Sequence, residues 1–302
     1  MNESVSKDMM ELDPSLHCTV IIPAYNEEKV LGTVLEHVLQ VVGGSEGPHE
    51  ILVVDDGSSD QTATIASQHD VTLVRHPVNR GYGAALKTGI DQARREIIII
   101  IDADGTYPVE KIPVLLKDVA SYHMVVGART GEHVAIPWTR APAKWFLRQL
   151  ANYLSGTRIP DLNSGFRAFQ KAAVLPFLHI LPNGFSFTTT ITLAMLTNDY
   201  LVQYIPIDYY HRVGDSKIRP IRDTAQFVNL ILRTVMYFNP LKIFAPLSGL
   251  LLAAAIFLFF YSWWFADKIM DMSITLISMA SVQVFVIGLL ADLINKRGQR
   301  VH

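Results

Sequence analysis

The sequence predicts an α/β domain with a mostly parallel central sheet, then an amphipathic membrane-interface helix and a two-helix transmembrane hairpin. Three observations lead there. Strand-like and helix-like segments alternate through residues 17–210, the pattern of a parallel sheet covered on both faces. Polar clusters stand directly after several of the predicted strands, where ligands collect in such sheets. Near the end of the chain, two apolar stretches run without a charge.

The elements follow in order. His17–Pro23 is apolar and β-branched, and Val30, Leu31, Val34, Leu35, Val38 and Leu39 give residues 26–42 a helical period. Glu50–Val54 reads as a second strand, Thr62–His69 as a helix and Val71–Arg75 as a third strand. Gly83–Arg94 reads as a helix, and the five isoleucines Ile97–Ile101 as a fourth, buried strand. Met124–Gly127 is a further strand, and Thr130–Pro142 a long loop with Gly131, Pro137 and Pro142. Ala143–Leu154 is expected to be helical, Asp161–Phe166 turn-rich, Lys171–Leu175 the start of a helix and Leu201–Pro206 a late strand. No internal repeat or low-complexity segment is present.

Ile243–Phe265 and Met272–Leu290 hold no charged residue, and each is near the roughly 20 residues a membrane-spanning helix needs. The short break Asp267–Asp271 predicts a hairpin with both ends on one side. Arg219, Arg222, Arg233 and Lys242 precede it, and Lys296, Arg297 and Arg300 follow it, which places the main domain and the tail in the cytoplasm. Trp263 and Trp264 are expected at the far interface. Ile221, Ala225, Val228, Leu232 and Val235, with basic residues between, fit either a helix lying in the interface or an ordinary core helix; direct connection to a span favours the interface. The expected organisation is a polar tail over 1–16, a main domain over 17–217, an interface helix over 218–240, spans over 243–265 and 272–294, and a basic tail over 295–302. Met1–Leu16 is polar and mixed in charge with no apolar core, and is not expected to serve as a secretory signal.

Several function classes find no support. A net charge of −2 gives no sign of nucleic-acid binding, and the one cysteine, Cys18, has no internal disulfide partner. There is no Gly-x-Ser-x-Gly, His-Glu-x-x-His or Walker loop. The chemistry gathers instead at Asp102-Ala103-Asp104, straight after the isoleucine strand. Two carboxylates one residue apart on a rigid strand end can grip one Mg2+ or Mn2+, with phosphate oxygens and water completing its shell. Gly81-Tyr82-Gly83 lacks a dinucleotide fingerprint and reads as a substrate-contacting loop or a tight turn into a helix. Arg129 and Arg140, with Lys144 and Arg148, suit phosphate binding or a solvated surface. The segment His211–Lys217, with Arg212, Ser216 and Lys217, reads as a phosphate loop at the membrane surface or as a linker, and His211 as structural.

Seven motifs then coincide in order: Ile21–Glu28 (IIPAYNEE), Val53–Asp60 (VVDDGSSD), Asn79–Gly83 (NRGYG), Asp102–Asp104, Gly127–Arg129, Asn163–Arg167 (NSGFR) and Arg212–Lys217. Together they resemble the family-2 glycosyltransferases of the GT-A fold, in particular the polyprenyl-phosphate branch that includes dolichyl-phosphate mannose synthases. The resemblance covers residues 17–217 and extends to the hairpin. It implies that Pro23, Ala24, Tyr25, Glu27, Asp55, Asp56 and Ala103 hold the nucleotide of a UDP- or GDP-sugar. Asp102 and Asp104 would bind the divalent metal and diphosphate. Arg129, Arg140, Arg212, Ser216 and Lys217 would hold the acceptor phosphate, with Arg129 and Arg212 counted with the aspartates as catalytic. One departure stands out: several dolichyl-phosphate mannose synthases carry a glutamine where this chain has Thr106.

The expected reaction is inverting transfer of one sugar to a membrane polyprenyl phosphate of undecaprenyl or dolichyl type. The site would face the cytoplasm, on a multi-pass protein of the inner membrane; a homo-oligomer through the hairpin is one arrangement it allows, and the oligomeric state stays open. A diacylglycerol or ceramide hydroxyl acceptor and a non-catalytic membrane scaffold are the alternatives. The processive Gln-x-x-Arg-Trp motif is absent.

Overall fold

The computed structural model describes residues 17–43, 49–131, 149, 151–153, 155–184, 186–210, 236–237, 239–265 and 271–298. It divides into two compact units, Met1–Val228 and Asn229–His302.

The first unit is built on β1 (Cys18–Ala24), α1 (Leu31–Val42), β2 (Glu50–Asp55), α2 (Thr62–Ser67), β3 (Thr72–Arg75), α3 (Tyr82–Gln92) and β4 (Ile97–Ile100). After a 3-10 turn, α4 (Ile112–Val119) leads into β5 (Met124–Ala128). Next come β6 (Arg167–Gln170), the short α5 (Lys171–Val174), α6 (Phe187–Thr197) and β7 (Val202–Pro206). The strands form one seven-stranded sheet in the order β3-β2-β1-β4-β6-β5-β7. The pairs β1–β2, β1–β4, β2–β3 and β5–β7 are parallel, and β6 runs antiparallel to both its neighbours. The sheet is therefore mostly parallel, as expected.

β1 and β4 are central strands buried on both faces, which is why they read as unbroken apolar runs. On one face Leu31, Val34, Leu35 and Val38 of α1 pack with Val20, Ile22, Val53, Ile99 and Ile101. Gly89 lets α3 approach the sheet, since a Cβ there would meet the Ile21 side chain at 2.5 Å.

Several boundaries differ from the sequence reading. The helix expected from residue 26 begins at Leu31. Asn26 has φ 54° and accepts a hydrogen bond from the Ser59 amide, so it closes a loop instead. Lys171–Val174 is a single helical turn that passes into a 3-10 turn. Strand β6 and helix α6 were not expected. Of the helix expected at 143–154, residues 149 and 151–153 are described and are helical. The interface helix expected at 218–240 lies outside the described residues except for 236, 237, 239 and 240, of which 236 and 237 are helical.

The second unit is an antiparallel hairpin of α7 (Leu241–Phe265) and α8 (Asp271–Gly298), against spans expected at 243–265 and 272–294. Both helices are long and apolar enough to cross a membrane, and their apolar side chains face outward: Leu250, Trp264 and Met272 are all exposed. Small and polar groups fill the seam. The Ser281 hydroxyl donates to the Ser248 carbonyl at 2.9 Å, the two hydroxyls lie 3.2 Å apart, and Gly288 lies against Phe244.

Candidate active site

The carboxyl ends of β1, β2 and β4 sit side by side in the sheet, so the loops that follow them come together. β1 ends in Pro23 and Ala24, both buried, followed by the half-buried Tyr25 and Glu27. The Ala24 carbonyl accepts from the Asp56 amide at 2.9 Å, and the Glu27 amide donates to Thr62 Oγ1 at 2.9 Å.

Asp55 and Asp56 are both deeply buried and already engaged. Asp55 Oδ1 accepts from the Ser58 amide, and Oδ2 lies 3.0 Å from Arg75 Nε. Asp56 accepts from the Arg80 and Gly81 amides at 2.9 and 2.7 Å, and its Oδ1 lies 2.6 Å from His76 Nδ1. His76 reaches Thr88 with its other ring nitrogen. Asp56 thus clamps the Asn79–Gly83 loop in place. Gly81 has φ 101°, and any side chain there would collide with the Asn183 carbonyl. The loop is a tight turn into α3 that also delivers Tyr82 to the site. An open cleft lined by Gly57, Ser58, Arg75, His76 and Pro77 lies beside this network.

Asp102 and Asp104 follow β4 directly. Asp102 is half-buried and Asp104 is 7% exposed. The Tyr82 phenol donates to Asp102 Oδ1 at 2.8 Å. Asp104 Oδ1 accepts from the Thr106 hydroxyl at 2.6 Å and from the Thr106 amide at 3.2 Å. Gly165 lies against the Asp102 carboxylate: a Cβ there would stand 2.8 Å from Asp102 Cγ. The Gly165 amide donates to the buried Tyr107 phenol at 2.7 Å.

The buried Arg167 holds the same turn from below. Its guanidinium donates to the Ser164 carbonyl, to the Thr188 carbonyl and to Thr192 Oγ1. Burial pushes its pKa down from the usual arginine value.

A line of contacts runs on from Tyr107 to Arg129. The Tyr107 and Tyr209 rings are 5.4 Å apart, and Arg129 Cζ lies 5.1 Å from the Tyr209 ring centre. Arg129 Nε and Nη2 donate to Asp161 Oδ2 and Oδ1 at 2.7 and 2.9 Å, a bidentate pair. The Arg129 and Asn163 amides also donate to this carboxylate. Burial alone would push the Asp161 carboxyl up; these hydrogen bonds and the Arg129 charge outweigh it and hold it below the usual carboxylate range. Arg129 is among the residues the sequence points to; Asp161 is not. The signal available was its position two residues before Asn163-Ser164-Gly165, a turn already picked out as a motif.

Arg140, Arg212, Ser216 and Lys217 lie outside the described residues. The last residue before the Arg212 segment that is described, Tyr210, donates its amide to the Thr106 carbonyl at 3.0 Å, two residues from Asp104.

The donor set suits one kind of cation. Among the described residues no three His, Cys, Asp or Glu side chains cluster as a metal cage. The two carboxylates at this strand end would offer hard oxygen ligands to a cation that takes the rest of its shell from phosphate and water, a donor set that fits Mg2+ or Mn2+ better than a closed zinc site.

An aspartate pair at the carboxyl end of a central parallel strand, beside the loops that follow β1 and β2, is a ligand site of the kind open α/β sheets build at their strand ends. Residues 19–175, just over half of the chain, match Glycosyl transferase family 2, and the chain belongs to that family. It is a glycosyltransferase. Residues 239–296 match the GtrB C-terminal hairpin. An uncharacterized protein of Methanocaldococcus jannaschii is 38% identical over 165 residues, 51% of this chain and 65% of that protein. An undecaprenyl-phosphate 4-deoxy-4-formamido-L-arabinose transferase of Pectobacterium carotovorum is 28% identical over 305 residues, 94% of this chain and 90% of the relative. A dolichyl-phosphate beta-glucosyltransferase of Trichomonas vaginalis is 29% identical over 227 residues, 68% of this chain and 66% of the relative. Among solved structures, glucosyl-3-phosphoglycerate synthase of Mycobacterium tuberculosis, in complex with Mn2+, UDP-glucose and phosphoglyceric acid, superposes with TM-score 0.58 at 20% identity. That match covers 73% of this chain and 80% of the other, and it establishes the shared GT-A-like fold.

Proposed function

We propose that this protein transfers one sugar from a nucleotide diphosphate sugar to a membrane polyprenyl phosphate, with inversion at the anomeric carbon. The observation that carries the reading is that one chain joins the Asp102/Asp104 strand end to two membrane-length helices. A relative that matches 94% of the chain is named for undecaprenyl-phosphate sugar transfer, so the likeness extends through the hairpin as well as the sugar-transferase domain.

The acceptor supplies its own nucleophile. A phosphate monoester, with a second pKa of about 6, is mostly dianionic at neutral pH. One of its oxygens bonds to the anomeric carbon as that carbon's bond to the diphosphate oxygen breaks, and the nucleoside diphosphate leaves with the electron pair. The protein's task is alignment and charge stabilisation. Asp102 and Asp104 would hold a divalent cation, Mg2+ or Mn2+, which neutralises the departing diphosphate when bound. Pro23, Ala24, Tyr25, Glu27 and Ala103 shape the nucleotide side. Asp55 and Asp56 serve it by ordering the loops around it: Asp55 accepts from the Ser58 amide and faces the Arg75 charge, and Asp56 accepts from the Arg80 and Gly81 amides. Arg129 turns Nε and Nη2 to Asp161; we assign Nη1 to the acceptor phosphate, together with Arg140, Arg212, Ser216 and Lys217. The hairpin holds the domain at the cytoplasmic face of the membrane, and its association with other copies belongs to the same reading.

A hydroxyl acceptor such as diacylglycerol or ceramide would need a general base. Asp161 is the acidic side chain beside Arg129. A carboxylate bound by two guanidinium nitrogens and two backbone amides, with its pKa held low, is a poor proton acceptor. The test is a transfer assay with UDP- and GDP-sugars, using vesicles that contain either polyprenyl phosphate or diacylglycerol, with and without Mn2+. Transfer to the phosphate lipid that requires Mn2+ and is lost in Asp104→Ala is expected. Transfer to diacylglycerol alone, or full turnover by Asp104→Ala, would overturn the reading.

A further inference from the structure

Each of the two metal-side aspartates has one carboxylate oxygen held by a side-chain hydroxyl. The Tyr82 phenol, at the start of α3, donates to Asp102 Oδ1 at 2.8 Å. The Thr106 hydroxyl, two residues on in the loop after β4, donates to Asp104 Oδ1 at 2.6 Å. We propose that Tyr82 and Thr106 are a pair of positioning residues that fix the rotation of the Asp102 and Asp104 carboxylates and so set the affinity of the site for its divalent cation.

The geometry around both hydroxyls supports a fixed role. Thr106 has no exposed surface, and its amide bonds the same Asp104 oxygen. Its side chain therefore turns back onto the aspartate and does not reach outward as a third ligand. Its carbonyl is tied to the Tyr210 amide, so the residue is held at both ends. Tyr82 is placed by the Gly81 turn, which Asp56 clamps through two backbone amides. On the far side Gly165 leaves the Asp102 carboxylate room that a side chain would fill. Asp102 is thus set between a donor and a bare backbone. Outer-shell donors of this kind orient metal ligands, and their loss costs on the order of 10–100-fold in metal affinity.

This inference rests on the metal reading above, and the experiment separates the two. Mn2+ binding to the full chain in detergent is followed by the loss of the free-ion electron paramagnetic resonance signal, with Mn2+ alone and with Mn2+ plus UDP or GDP. Asp104→Ala should abolish binding. Tyr82→Phe and Thr106→Val should each raise the dissociation constant about tenfold or more, and Thr106→Ser should restore it to within about twofold of wild type. In transfer assays both variants should need more Mn2+ for half-maximal rate and recover most of kcat at saturation. A merely structural role would lower the melting midpoint and leave the Mn2+ constant of the folded protein unmoved. If wild type and Asp104→Ala bind Mn2+ alike, the metal reading and this inference fall together. If Asp104→Ala loses binding while Thr106→Val binds like wild type, the metal reading stands and the hydroxyl pair falls. Thr106→Val against Thr106→Ser decides the matter even if Tyr82→Phe does not fold.

Discussion

Arg129 and Asp161 face each other with side chains 20% and 11% exposed, so each charge depends on the other for its solvation. Removing one partner of such a pair strands the other, at a cost of about 3–5 kcal/mol. Asp161→Asn should therefore destabilise the domain, and the loss should follow pH in one direction. The folded carboxyl titrates below its ordinary value. Its contribution is thus fully present above the unfolded value of about 3.9 and is lost as pH falls through the folded one. The difference in urea midpoint between wild type and Asp161→Asn should be constant from pH 7 to about pH 5 and shrink only below about pH 4. A difference absent at pH 7, or gone by pH 6, would refute the pairing. At this scale the sequence was partly legible. Asp102, Asp104 and Arg129 could be picked out because strand ends and motif order mark them. The partners Tyr82, His76 and Asp161 could not, because a hydrogen bond between residues as far apart as 20 and 32 positions leaves no local pattern; Thr106 stood out only as a departure from the family's glutamine, and its bond to Asp104, two residues away, was not read.

Among the elements, legibility followed burial pattern. β1, β2 and β4 were readable as apolar runs, and α1 by its period. β6 was missed because it is four residues long and opens with the buried Arg167, which looks like surface in a sequence. α6 was missed because its run of threonines favours strands and because it is buried nearly all round, which erases the helical period. Its threonines bond back to the preceding turn: Thr190 to Ser186 O, Thr192 to Thr188 O and Thr197 to Leu193 O. The hairpin raises a different question, since apolar content shows that α7 and α8 are long but says nothing of their register. The structure sets it by Ser248 against Ser281 and by Gly288 against Phe244, where an added Cβ would come within 2.6 Å of Phe244 Cβ. A Ser248→Cys/Ser281→Cys pair should therefore cross-link under mild oxidation. Adding Gly288→Leu, at a packing cost of about 1–3 kcal/mol, should suppress the cross-link. Equal cross-linking with and without the bulky residue would mean a different register.

At the scale of the molecule, the chain couples a buried-core α/β unit to a hairpin whose apolar surface faces outward. An exposed apolar surface on this scale needs a lipid or protein environment, and the proposed acceptor is itself a lipid. The topology is open to a direct test because Cys18 is a silent background: it is fully buried, 3.1 Å from His49 Nδ1, and burial pushes its thiol up to about 12, so little reactive thiolate is present. Single cysteines at Asp271, which opens α8, and at Ile294, in its last turns, then report on opposite ends of one helix. If α7 and α8 cross the bilayer with the catalytic unit in the cytoplasm, an impermeant maleimide should label Asp271→Cys on intact cells and Ile294→Cys only in inside-out vesicles. Both should label in detergent. Labelling of the two positions from the same side would mean that the hairpin lies along the membrane without crossing it.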